Sequence, residues 1–277
     1  MYPYSEIRKV PLDYEGITSS AFAVQRKEIK NNKDGTGREE WKECGIVGQK
    51  YLLIPNSDVK EMADTIASNC NAEFAPAKEF FDGRRYFYGL VSKTHTTEIA
   101  KGDDIALGLG FWNSYDGSTA LKMKLFLMRL VCTNGMMTND HFNSYRFKHD
   151  HTSEGYEDEM MQVVDIINGC GDSVEKIASN FRDMYCTEMD IPTLKTLRKA
   201  IPALPTTTWR KITDRYLEQY TNDDDNSALE KNTMWDFYNA CTDVLWHEKK
   251  PTVASFQHNA YVTDNLIKCV AYVKIIT

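Results

Sequence analysis

Between Phe74 and Val131 the apolar period is closer to two than to the helical spacing, and the run is broken twice by Asp-Gly. Phe80-Phe81-Asp82-Gly83-Arg84-Arg85-Tyr86-Phe87-Tyr88 contains the first break. Ile105, Leu107, Leu109 and Phe111 then alternate with small residues. Ser114-Tyr115-Asp116-Gly117-Ser118 leads into Leu121, Met123, Leu125 and Leu127, which alternate with Lys122 and Lys124. A period of two belongs to a strand, whose successive side chains point to opposite faces. Asp-Gly supplies the positive φ that a tight hairpin turn requires. Two such hairpins predict an antiparallel or mixed sheet, although Leu121 to Leu130 also contains good helix formers.

The flanks predict the rest of the architecture. Tyr14 to Val24 and Gly48 to Ile54 have strand composition and surround a charged, Gly-containing loop from Asn31 to Arg38. After Pro55, Asn56 or Ser57 is placed to cap a helix near 57–69 that carries Val59, Met62, Ala63 and Ile66 on one face. Beyond Glu154 the apolar period becomes helical through Met160, Val163, Val164 and Ile167, again through Ile177 and Phe181, and later through Trp235, Tyr238, Cys241 and Leu245. The expected fold is α+β, with a β-rich N-terminal half over 1–150 and a mainly helical C-terminal half over 151–277 packing on it.

Composition narrows the functional classes. A chain of 277 residues with 42% hydrophobic and 26% charged residues is that of a well-folded globular protein. No early apolar run reads as a signal peptide, and no stretch is long enough to span a membrane. The seven cysteines form no CxxC pair, which suits free thiols in a reducing cytoplasm. The net charge of −7 is uneven: 10 basic and 12 acidic residues through Ala77, 10 and 7 from Lys78 to Lys148, and 13 and 21 from His149 onward. Phosphate affinity depends on local Lys and Arg, so the middle third is where a nucleic-acid footprint is expected.

Trp112-Asn113-Ser114-Tyr115-Asp116-Gly117-Ser118, followed by Met128-Arg129-Leu130-Val131-Cys132-Thr133-Asn134-Gly135-Met136, closely resembles the paired signature of domain-of-unknown-function family 932. Val47-Gly48-Gln49-Lys50-Tyr51, the Asp82-Gly83-Arg84-Arg85 turn and Trp235-Asp236-Phe237-Tyr238-Asn239-Ala240-Cys241-Thr242 add to the likeness, which runs from about Gly45 to Asp264. The resemblance implies a phage, prophage or plasmid origin, hence a host-cell cytoplasmic setting. It transfers no activity. The order of helix and hairpins is loosely similar to the sheet-plus-helix core of Red-beta and Erf type annealing proteins.

Each chemically suggestive residue has a structural reading beside the functional one. The Asn113 to Ser118 turn either presents oxygens to a ligand or satisfies its own backbone. Arg129 shares a strand face with Met123, Leu125 and Leu127 and needs an anionic partner, for which Asp116 is the internal candidate and a ligand phosphate the external one. His141, His149 and His151, with Asp140, Asp150 and Glu154, form the one metal-like cluster, yet no accompanying motif supports a site, and a solvated loop is the expectation. Cys132 lies in an apolar run, as core cysteines do. Arg84, Arg85, Tyr86, Tyr88, Lys93, Lys122 and Lys124, with Lys78, interleave charge and rings as a nucleic-acid-binding sheet face does; cross-strand aromatic pairs on an ordinary sheet give the same pattern. No nucleotide-binding or hydrolase motif occurs, so neither a cofactor nor a catalytic residue is expected. The expectation is a non-enzymatic protein that binds or anneals single-stranded DNA, possible as a homo-oligomer. The alternative is an interaction factor acting on a host or phage protein.

Overall fold

The structure is a computed structural model that describes residues 2–14, 16–31, 37–131, 134–137, 144–147, 153–189, 191–221, 233–247 and 253–276. It opens with β1 (Ile7–Tyr14), β2 (Ile17–Asn31) and β3 (Gly37–Gly48), followed by α1 (Asn56–Asn69). Next come β4 (Phe74–Phe81), β5 (Arg85–Ala100), β6 (Asp103–Ser114), β7 (Lys122–Arg129), β8 (Asn134–Met136) and β9 (Ser144–Arg146). The remainder is helical: α2 (Ser153–Asn168), α3 (Gly171–Tyr185), α4 (Ile191–Ala200), α5 (Thr206–Thr221), α6 (Met234–Trp246) and α7 (Val253–Ile276). The fold is therefore α+β, strand-rich first and helical second. Among the described residues no helix is long and apolar enough to cross a membrane.

The strands form two sheets. One has the order β1-β2-β3 with antiparallel pairing, and the other runs β4-β5-β6-β7-β8 with β9 also pairing to β7. Both Asp-Gly turns form as expected: Gly83 and Gly117 have φ of 100° and 73°, where an L side chain is strained. The first sheet differs from the sequence reading in two places. Tyr14 to Val24 is not one strand, because Gly16, at φ 82°, turns the chain between β1 and β2. The third strand is the charged Gly37–Gly48 rather than Gly48 to Ile54. Its residues are mostly exposed, so backbone pairing with β2 forms the strand without apolar alternation to announce it.

By compactness the chain divides into two units. The first comprises Met1–Val91, Leu109–Lys124 and Ser144–Asn168; the second comprises Ser92–Gly108, Leu125–Asn143 and Gly169–Thr277. In the first, α1 buries the predicted stripe of Val59, Met62, Ala63 and Ile66. Pro55, not Asn56 or Ser57, stands at its N-cap without a side-chain bond, because Asn56 is already the first helical residue and its amide is engaged elsewhere. Phe81 packs edge-on against both Tyr86 and Tyr115.

In the second unit, α6 is apolar on nearly every side, as a fully enclosed helix must be. Trp235 and Tyr238 meet Phe181 of α3, while Phe237 meets Trp209 and Tyr216 of α5. Burying each such ring contributes about 1.5–3 kcal/mol before entropy is counted. A reciprocal cap starts α6: Thr233 and Asp236 each bond the other's backbone N–H.

Candidate functional site

The signature turn points inward. Asn113, 1% exposed, donates through Nδ2 to the Ile54 carbonyl at 2.9 Å and to Asn56 Oδ1 at 3.1 Å. Ser114 Oγ donates to the Thr119 carbonyl at 2.8 Å and accepts the Thr119 N–H at 3.0 Å, and Tyr51 donates to the Ser114 carbonyl at 2.6 Å. Asp116 accepts the Ser118 N–H at 2.9 Å. Burial pushes its carboxyl up, but the Ser118 hydrogen bonds, with Arg85 and Arg84 nearby, outweigh that and hold it below its ordinary value. Gly117 is exposed at the tip, and Arg85 Nε donates to Ser118 Oγ at 3.0 Å. These groups bond the turn itself and the chain before α1, as the structural reading of the turn expects.

The second half of the signature is structural as well. Arg129 is internally paired, but with Asp103 rather than Asp116: Nε and Nη2 reach the two carboxylate oxygens at 2.6 and 2.7 Å. The hairpin explains the correction. Leu130 N–H bonds the Asp104 carbonyl, so the end of β7 lies beside the start of β6, while Asp116 sits at the turn joining their other ends. Trp235 Nε1 donates to the same carboxylate at 2.8 Å. Asn134 bonds the Asn239 carbonyl and His247 Nε2, and Gly135 accepts from Asn259 Nδ2 at 2.8 Å. Asp103, His247 and Asn259 carry no signal in the sequence; a lone polar residue in a helix or at a strand end gives no sign of a partner over a hundred positions away. Cys132, His141, His149 and His151, with Asp140 and Asp150, lie outside the described residues. Among the described residues no cluster of three or more His, Cys, Asp or Glu side chains is arranged to hold a metal.

The basic and aromatic residues separate onto two faces. Tyr86 and Tyr88 are 1% and 2% exposed and share the face that meets α1: the Tyr86 hydroxyl donates to Glu79 of β4 at 2.7 Å and the Tyr88 hydroxyl to Asp64 of α1 at 3.0 Å. The expected stacking rings are thus removed from the surface, because alternation puts them on the core face. Arg84 and Arg85 lie at the β4–β5 turn, their N–H groups bound to Asp82. Lys93 is exposed and belongs to the second unit.

The opposite face of the sheet, within the first unit, holds the remaining cations. Phe87 and Trp112 meet at a tilt of 53° with centroids 4.9 Å apart, and the Lys122 ammonium lies 5.6 Å from the Trp112 ring. Alternation places Lys124 beside Lys122, and β9 sets Arg146 directly opposite Lys122. On β4, Asp82 N–H bonds the Arg85 carbonyl, and this register brings Lys78 opposite Gly89, on the Phe87 face. Burial pushes Lys122 below its ordinary value and repulsion from Arg146 adds to it. Burial alone pushes Lys78 down to about 8.

That last shift has a testable consequence. An unfolded Lys78 holds its proton up to about 10.5, so between about 8 and 10.5 the unfolded chain binds more protons. The penalty is complete below about 8 and disappears as pH rises through 10.5. Lys78→Met is expected to raise the melting temperature at pH 7 and to lose that gain near pH 10.5. A scan of melting temperature against pH for the variant and its parent checks both signs.

The fold thus defines an α+β protein whose most distinctive sequence motifs build structure, with Lys78, Lys122, Lys124 and Arg146 gathered on one face of a sheet. A family model described as Domain of unknown function (DUF932) matches residues 43–267. The chain belongs to that family. No curated protein and no solved structure matches it.

Proposed function

We propose that the chain binds nucleic acid through its phosphates, using the sheet face that carries Lys78, Lys122, Lys124 and Arg146. The observation that carries this is the Lys122–Arg146 register pair. Like charges directly opposite each other on a sheet are destabilising, and a bound anion between them reverses the sign of the interaction. Neighbouring strands are about 4.8 Å apart and alternate residues along one strand about 7 Å, so the cations form a patch able to meet several phosphates. The net charge of −7 confines such binding to this patch. With the kinship above, the reading is of a non-enzymatic cytoplasmic protein in phage or plasmid DNA metabolism.

Retention on heparin and on a single-stranded oligonucleotide is expected to fall steeply with salt. Lys122→Ala and Arg146→Ala should each reduce the slope of log affinity against log salt by about 0.7. An unchanged slope in both variants would remove this face from consideration.

One observation favours a protein partner instead. A cavity of about 970 Å³ opens over β2 and β3, where Trp41 and the 71% exposed Ile29 lie among Lys27, Lys30, Glu39 and Glu40. Apolar anchors within mixed charge suit a polypeptide better than a polyanion. Salt-insensitive failure to bind either column, with Ile29→Asp abolishing capture of a partner, is the pattern that reading requires.

A further inference from the structure

Resting on the phosphate-binding reading, we infer that this face holds the polymer backbone and leaves the bases uncontacted, so its ligand class is any phosphate polymer. Single-strand binders usually gain affinity by stacking bases on exposed rings. Here the rings on the cationic face are occupied. Phe87 is 1% exposed and Trp112 5%. They lie along the sheet over glycines: a Cβ at Gly110 would stand 2.7 Å from the Trp112 ring and 2.8 Å from Phe87, and one at Gly89 would stand 3.0 Å from Phe87. The glycines thus let both rings sink against the backbone, where Lys122 lies over the Trp112 indole. Around this closed aromatic floor the face carries the half-buried Lys78, Lys122 and Lys124 and the exposed Arg146. Phe74 and Phe80, both half-buried on the edge strand β4, are further rings that alternation puts on this side, and Phe126 of β7 is fully buried.

The same geometry distinguishes this face from a stacking platform. Tyr86 and Tyr88, which the residue pattern offered as base-stacking partners, are held on the other side by Glu79 and Asp64. Cation spacing without accessible rings recognises charge density, and the chemistry of the base becomes irrelevant.

The experiment compares an all-thymidine oligonucleotide with an abasic tetrahydrofuran strand of the same length, each titrated by anisotropy at several salt concentrations. The expected result is affinities within about threefold and equal salt slopes, with inorganic polyphosphate competing against both. Phe74→Ala and Phe80→Ala should each leave the thymidine affinity unchanged. A stacking site would lose on the order of tenfold per base contact on the abasic strand. That loss, or a matching loss in Phe74→Ala or Phe80→Ala, overturns the inference while leaving nucleic-acid binding in place. Failure of both strands to bind instead overturns the phosphate-binding reading itself, and this inference with it.

Discussion

Asp103→Ala is expected to destabilise the second unit by about 3–5 kcal/mol, seen as a lower urea midpoint with little change in slope. The carboxylate accepts two charged hydrogen bonds from Arg129 and one from the Trp235 indole. Removing it strands a guanidinium whose side chain is only 21% exposed and an indole N–H that is buried. The cost arises mainly from those abandoned donors, since an intact buried pair contributes little over apolar packing. Arg129→Ala should therefore be comparably damaging, whereas the double variant Asp103→Ala, Arg129→Ala should cost clearly less than the sum. Asp116→Ala is the contrasting control. Its carboxylate is half-buried at a turn and loses hydrogen bonds to Ser118, an effect of about 1 kcal/mol.

Gly135→Ala is the second large effect, an expected loss of about 1–3 kcal/mol from a single added methyl. A Cβ at Gly135 would stand 2.4–2.5 Å from three atoms of the Trp246 ring. That ring is 2% exposed and packed against Phe126 with centroids 5.5 Å apart, so it has little room to retreat. The backbone of β8 cannot move freely either, because Asn259 bonds the Gly135 carbonyl and the Met137 N–H. Gly171→Ala, where a Cβ meets nothing within 4 Å, should be nearly neutral by comparison. Trp246→Phe introduced beside Gly135→Ala should recover part of the lost melting temperature, since the clash is with the outer ring of the indole. Thermal melts of the four proteins decide the point.

Together these effects explain why the family signature reveals kinship and no activity. Asn113 ties the end of β6 to the chain before α1, Ser114 and Asp116 hold their turn, Arg129 joins strand start to strand end through Asp103, and Asn134 and Gly135 receive α6 and α7. Such residues specify a fold. Function, on the reading proposed above, lies in Lys78, Lys122, Lys124 and Arg146, which form no motif along the chain.

What the sequence by itself determined was local. Alternation and Asp-Gly sufficed for the hairpins, because a positive φ at Gly83 or Gly117 is a property of two or three residues. The buried face of α1 followed from the spacing of Val59, Met62, Ala63 and Ile66, because the helical period is fixed by backbone geometry. Alternation also implied that Tyr86 and Tyr88 share one face, but not which face met the core. Only the tertiary structure decided that they turn toward α1, that Arg129 finds Asp103, and that Arg146 arrives opposite Lys122. The charged strand β3 was hidden for the same reason, since its partner is backbone and its side chains carry no burial pattern. A residue's period is set by its neighbours in sequence, whereas its partner is set by which chain segments pack together, and that is a property of the whole fold.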